Sequence, residues 1–175
     1  MKTKTQVILS IMHVVFWVTF VGMCIRTGAV VISFIVSLFI NSDGAKNLYM
    51  GFDLSGLYNH GYWHYIGFMM MIISIMSQKA LISYLVIKIF MQMNVDRPFS
   101  RKVSELITRI SHVALSAGLM ALAAGFYSGW LNHRGVNMNE EWGSSELLFL
   151  AGVIFIIAQI FKKGIEIQSE NELKV

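Results

Sequence analysis

Four apolar stretches, each long enough to thread a lipid bilayer, constrain this chain more than anything else in its sequence. A hydrocarbon core about 30 Å thick takes about 20 residues of helix to cross. The stretches cover residues 7–40, 62–91, 103–130 and 146–161. In lipid the backbone must satisfy its own N–H and C=O groups, which leaves helices and closed barrels. The short alternating segments of a barrel do not appear. The sequence therefore predicts an all-α integral membrane bundle of four transmembrane helices in one domain over residues 1–175. Its spans are expected at about 7–28, 62–91, 103–130 and 146–163. Composition agrees, with 55% hydrophobic and only 14% charged residues, against about 25% charged in a soluble domain. Too few polar side chains remain to clothe a water-facing surface.

The first stretch is too long for one simple span, and two readings are open. Residues 7–25 can cross, with Arg26 anchoring at the far headgroups and 28–40 forming an outer helix or helix extension. Alternatively, one long tilted helix projects past the bilayer. Residues 28–40 are too few to return as a span of their own. Lys2 and Lys4 ahead of an apolar run resemble a signal peptide, but the run exceeds the usual 7–15 residues, roughly, and lacks a small-x-small cleavage site. A retained signal anchor is the better reading. The single cysteine, Cys24, excludes an intrachain disulfide and is expected to be buried in the first span. Met23 stands where a lipoprotein box needs a small residue.

Basic residues set the orientation. Lys2, Lys4, Lys88, Arg97, Arg101, Lys102, Arg109, Lys162, Lys163 and Lys174 fall at the termini or around the second connection. The other two connections hold Lys46 and Arg134 in the company of Asp43, Asp53, Glu140, Glu141 and Glu146. Both termini, the connection 92–102 and the tail 164–175 are therefore expected in the cytoplasm, and the loop 41–61 outside. The net charge of +4 sits beside apolar runs, so the expected counter-charge is anionic lipid rather than nucleic acid. No direct nucleic-acid binding is expected.

Local chemistry sharpens the outline. Pro98 disfavours helix in the residue before it, and Ser100 is placed to cap the third membrane helix. Tyr58, Tyr62, Trp63 and Tyr65 read as an interfacial aromatic belt. Lys162 and Glu166, four apart, can pair along a helical tail.

Two segments carry a family likeness. Arg97-Pro98-Phe99-Ser100 before a helix, together with the ending Gly164-Ile165-Glu166-Ile167-Gln168-Ser169-Glu170-Asn171-Glu172-Leu173-Lys174-Val175, resembles the bacterial DUF2975 family of membrane proteins. That family has a Pro-Phe turn between its second and third helices and a similar tail, and the four-helix layout extends the likeness over nearly the whole chain. Asp96-Arg97 stands where the family often has glycine and a polar residue, Lys174 replaces the usual threonine and Glu172 the usual aspartate. The resemblance implies a multi-pass protein of the bacterial inner membrane. It also implies a partner, because members are often encoded beside a small helix-turn-helix regulator.

Candidate sites divide into two groups. A partner-binding face would combine Arg97, Pro98 and Phe99 with Glu166, Glu170, Asn171 and Glu172, the carboxylates being offered to basic residues of a regulator. An intramembrane polar set would comprise Lys79, His112 and Gln159. Lys79 lies deep in the second span, where an ionisable group costs about 2.5–3.5 kcal/mol and usually faces a partner; the alternative is a long stem snorkelling to the headgroups. His60 and His64 have a zinc-ligand spacing, but a site needs a third ligand. Small residues at Ala114, Ala117, Gly118, Ala121, Ala124 and Gly125 line the third span, either for packing within the bundle or for a homodimer. No catalytic motif, metal site or cofactor site is expected. The sequence thus points to a non-enzymatic regulator that binds a small helix-turn-helix protein. A small transporter or proton-coupled carrier using the intramembrane polar residues is the alternative.

Overall fold

The computed structural model describes residues 4–46, 48, 53–93, 99–136, 138 and 142–172. Helix α1 (Lys4–Phe39) leads into a 3-10 turn (Ser42–Lys46) and the short α2 (Ser55–His60). Helices α3 (Tyr62–Gln92), α4 (Arg101–His133) and α5 (Ser144–Glu172) follow. The described residues contain no strand. The helices α1, α3, α4 and α5 are each long and apolar enough to cross a membrane, as the four stretches require.

Helix α1 decides between the two readings of the first stretch. It is one unbroken helix of 36 residues, about 54 Å at 1.5 Å per residue, and neither Arg26 nor Gly28 interrupts it. Two of its hydroxyls find their acceptors within the helix itself. Thr19 donates to the Val15 carbonyl at 2.9 Å and Thr27 to the Met23 carbonyl at 2.8 Å. Phe39 ends the helix about three and a half turns beyond Arg26, so Arg26 sits within α1 and not at its far end. Its side chain is exposed, and so is that of Cys24, which faces outward rather than into the protein.

Among the described residues, the largest buried cluster lies at the end where α1 gives way to α2 and α4 to α5. There the 3-10 turn, α2 and residues after α4 fold over the helices, burying Leu48, Leu57, Tyr65, Phe68, Leu131 and Met138 in one cluster. Tyr65 departs from the interfacial belt. It is fully buried, with its hydroxyl 2.6 Å from that of Ser37, whereas Trp63, two residues earlier and on the other side of the helix, is 80% exposed. A phenol with a polar partner inside the protein has no need of the headgroup layer.

Between α4 and α5 the seam is built from small residues. Ala114, Ala117, Gly118, Ala121 and Ala124 are all buried. A Cβ at Gly118 would come within 2.9 Å of the Leu148 side chain and 3.1 Å of its backbone nitrogen. Hydrophobic burial does not drive helices together in lipid, so close approach and hydrogen bonds must. Ser111 adds one such bond, donating to the Ala151 carbonyl at 3.1 Å.

The bundle is open. Helix α1 packs on α3 and the 3-10 turn, α3 lies between α1 and α4, and α4 between α3 and α5. Among the described residues no close backbone approach joins α5 to α1 or α3, or α1 to α4.

Candidate functional site

The end of the molecule where α4 begins and α5 leaves carries Arg101, Lys102, Arg109, Lys162 and Lys163. Its local structure starts with Ser100, whose hydroxyl accepts from the Val103 N–H at 3.3 Å and caps α4. That fixes Phe99 immediately before the helix. Phe99 turns onto α5, its ring centroid 5.3 Å from that of Phe161. Gly164, one turn further along α5, makes room for it: a Cβ there would lie 2.7 Å from Phe99 Cδ1. The turn before α4 and the exit of α5, far apart in the chain, therefore form one surface.

Beyond Gly164 the helix continues to Glu172. Glu166 and Glu170 are exposed on this extension. Glu166 pairs with Lys163 at 2.9 Å rather than with Lys162, and Ser169 donates to the Glu166 carbonyl at 2.8 Å. Lys162 is exposed on the α4 side instead, with its neighbours Glu105 and Arg109. Arg97 and Pro98 lie outside the described residues, as do the side chains of Asn171 and Glu172.

The intramembrane polar set is not gathered at one point. Lys79 is half-buried on α3, while His112 and Gln159 are exposed on α4 and α5. No hydrogen bond joins any two of them. At this depth a polar contact between α3 and α4 is made by Gln78, the neighbour of Lys79. Its Oε1 accepts from the Ser116 hydroxyl, and its Nε2 donates to Ser74 Oγ at 3.2 Å and reaches Met120 Sδ at 4.0 Å. An amide sealed by hydroxyls on both helices fits a packing role.

At the opposite end, His64 on α3 is tied to α4. Its Nδ1 is hydrogen-bonded to the Tyr127 hydroxyl, and its ring lies 5.8 Å from that of Trp130. His60 stands 5.9 Å from His64, ring to ring. Among the described residues no group of three His, Cys, Asp or Glu side chains is placed to hold a metal ion. Arg134 covers the Trp130 ring at 4.4 Å, a cation–aromatic contact suited to a membrane boundary. On the connecting segment Asp53 accepts from the Ser55 N–H at 2.8 Å. That bond, with Lys46 nearby, holds the Asp53 carboxyl below the usual aspartate range.

Sequence reasoning missed one cluster. Ser104, Thr108 and His112 recur every four residues along α4, and Arg109 stands four after Glu105. Such spacing marks a polar stripe on one helical face, and it runs on beyond the first turns of α4. The structure sets Lys162 of α5 beside it, forming a cleft of about 280 Å³.

These features define a multi-pass α-helical membrane protein with a folded cap at one end and a basic, helix-tailed face at the other. The chain belongs to the DUF2975 family, proteins of unknown function, whose family model matches residues 49–175. Neither the curated proteins nor the solved structures give a match.

Proposed function

We propose that this protein is a non-enzymatic regulator whose basic face lies in the cytoplasm and holds a small helix-turn-helix protein at the membrane. One observation carries the reading. Phe99 seated against Gly164 and Phe161 unites the turn before α4 with the tail of α5, and these are the two segments on which the family likeness rests. The placement follows from the positive-inside rule, since Arg101, Lys102, Lys162 and Lys163 share this end. A helical tail bearing Glu166 and Glu170 offers carboxylates to a DNA-binding protein, whose own surface is basic. Occupying that surface would remove the regulator from DNA by mass action, and any signal that alters the face would shift the balance.

The neighbouring gene is the first check. A helix-turn-helix product supports the reading, and a transport ATPase in its place counts against it. The decisive measurement is co-purification of that regulator with the full chain and with two variants. Glu166→Lys with Glu170→Lys reverses the tail's charge, and Gly164→Leu evicts Phe99. Both should lose the regulator while keeping wild-type levels in the membrane. Retention by both variants would remove this surface from consideration.

A further inference from the structure

The cleft between α4 and α5 is the strongest unassigned feature of the molecule. Arg109, His112 and Lys162 line it together with Ser104, Thr108 and Glu105. Glu105 is the only carboxylate among them, and it is drawn toward Arg101, at 3.4 Å. Among the described residues neither Arg109 nor Lys162 has an ion-pair partner, whereas the adjacent Lys163 is engaged by Glu166. Two helices thus hold a guanidinium, an ammonium and an imidazole around one concavity, where the one carboxylate, Glu105, is already paired with Arg101.

Depth identifies the anion. The boundary at the capped end is marked by Trp130 beneath Arg134. Counting back about 20 residues along α4, the thickness of a hydrocarbon core, brings the other boundary to the neighbourhood of Ile110. Helix α3 gives the same level independently. About 20 residues beyond the exposed Trp63 stands Tyr84, with Lys88 over its ring at 4.9 Å. Arg109 and His112 therefore stand at that boundary, and Lys162, which lines the same cleft from further out along α5, flanks the headgroup layer from the aqueous side. A basic pocket between membrane helices at that depth matches a phosphorylated headgroup, and arginine suits its oxygens because it can donate two parallel hydrogen bonds.

We propose that this cleft binds the phosphate of an anionic phospholipid, with Arg109 and Lys162 supplying the charge and His112 a ring N–H. The site is distinct from the Phe99–Gly164 surface and does not depend on it. The test uses the full chain in neutral detergent, titrated with phosphatidylglycerol, with phosphatidylcholine and with inorganic phosphate, and read by native mass spectrometry. Phosphatidylglycerol should bind in preference to phosphatidylcholine. Arg109→Gln and Lys162→Gln should each weaken it about five-fold, as expected for one surface cation against anionic lipid. Lys163→Gln should leave it unchanged. Both side chains are exposed, so the variants keep the wild-type fold, which circular dichroism checks. Equal binding of the two lipids, or wild-type affinity in the doubly substituted chain, overturns the proposal. Displacement of the lipid by millimolar inorganic phosphate would reassign the cleft to a soluble phosphate and overturn the lipid as its ligand.

Discussion

Phe99 and Gly164 show how a single absent side chain organises a surface, since the ring occupies space that any Cβ would fill. Asp53 shows a residue acting through charge. Its carboxyl is held below the usual aspartate range by the Ser55 N–H. A group whose folded value is depressed stabilises the structure above its ordinary value, and that contribution is lost as pH falls through the folded one. The Ser55 amide resonance should therefore titrate with an inflection below that of a free aspartate. An inflection at or above the free value would mean that the bond does not form in solution. The Ser100 cap was legible in the sequence because a proline, a hydroxyl and a helical run stand in order. The choice of Lys163 over Lys162 as partner of Glu166 was not, because three- and four-residue spacings are both neighbours on a helix. Only the position of α4 decides which lysine turns toward the cleft.

Among the elements, the α4–α5 seam is the most exacting. Gly118→Ala drives a methyl into Leu148, where both side chain and backbone stand close. Overpacking of this kind typically costs about 1–3 kcal/mol, so the variant should melt at a lower temperature in detergent. Gly22→Ala on α1 meets nothing within 4 Å and should melt like the wild type. If the two variants behave alike, the seam is not packed as described. The small residues of this seam were readable from the sequence, but what covers them was not, because a small face fits a neighbour in the same chain or in another. Here α5 takes that place. The continuity of α1 was equally undecided from sequence, since an arginine beside a glycine can end a span or simply ride on a helix. The lack of any proline in that run favours the latter.

For the molecule as a whole, the membrane assignment was the most legible feature, because the length of an apolar run maps directly onto bilayer thickness. Cys24 provides a direct check, being single in the chain, exposed on α1 and well inside the apolar run. In intact vesicles a charged maleimide should leave it unmodified, and detergent denaturation should make it reactive. Labelling without denaturation would place that part of α1 in water. The capped end and the basic cleft were less visible, because each is assembled from segments far apart in sequence, and periodicity within one helix does not report its neighbours. The open row of helices has a further consequence, for how such a chain is made. Among the described residues, each membrane helix makes its close backbone approaches to the one synthesised just before it and the one just after. The first must rest in lipid until its membrane-spanning neighbour leaves the ribosome, which its largely apolar surface permits. Every later helix can then dock at a free edge, and no finished joint has to be pried apart to admit a latecomer.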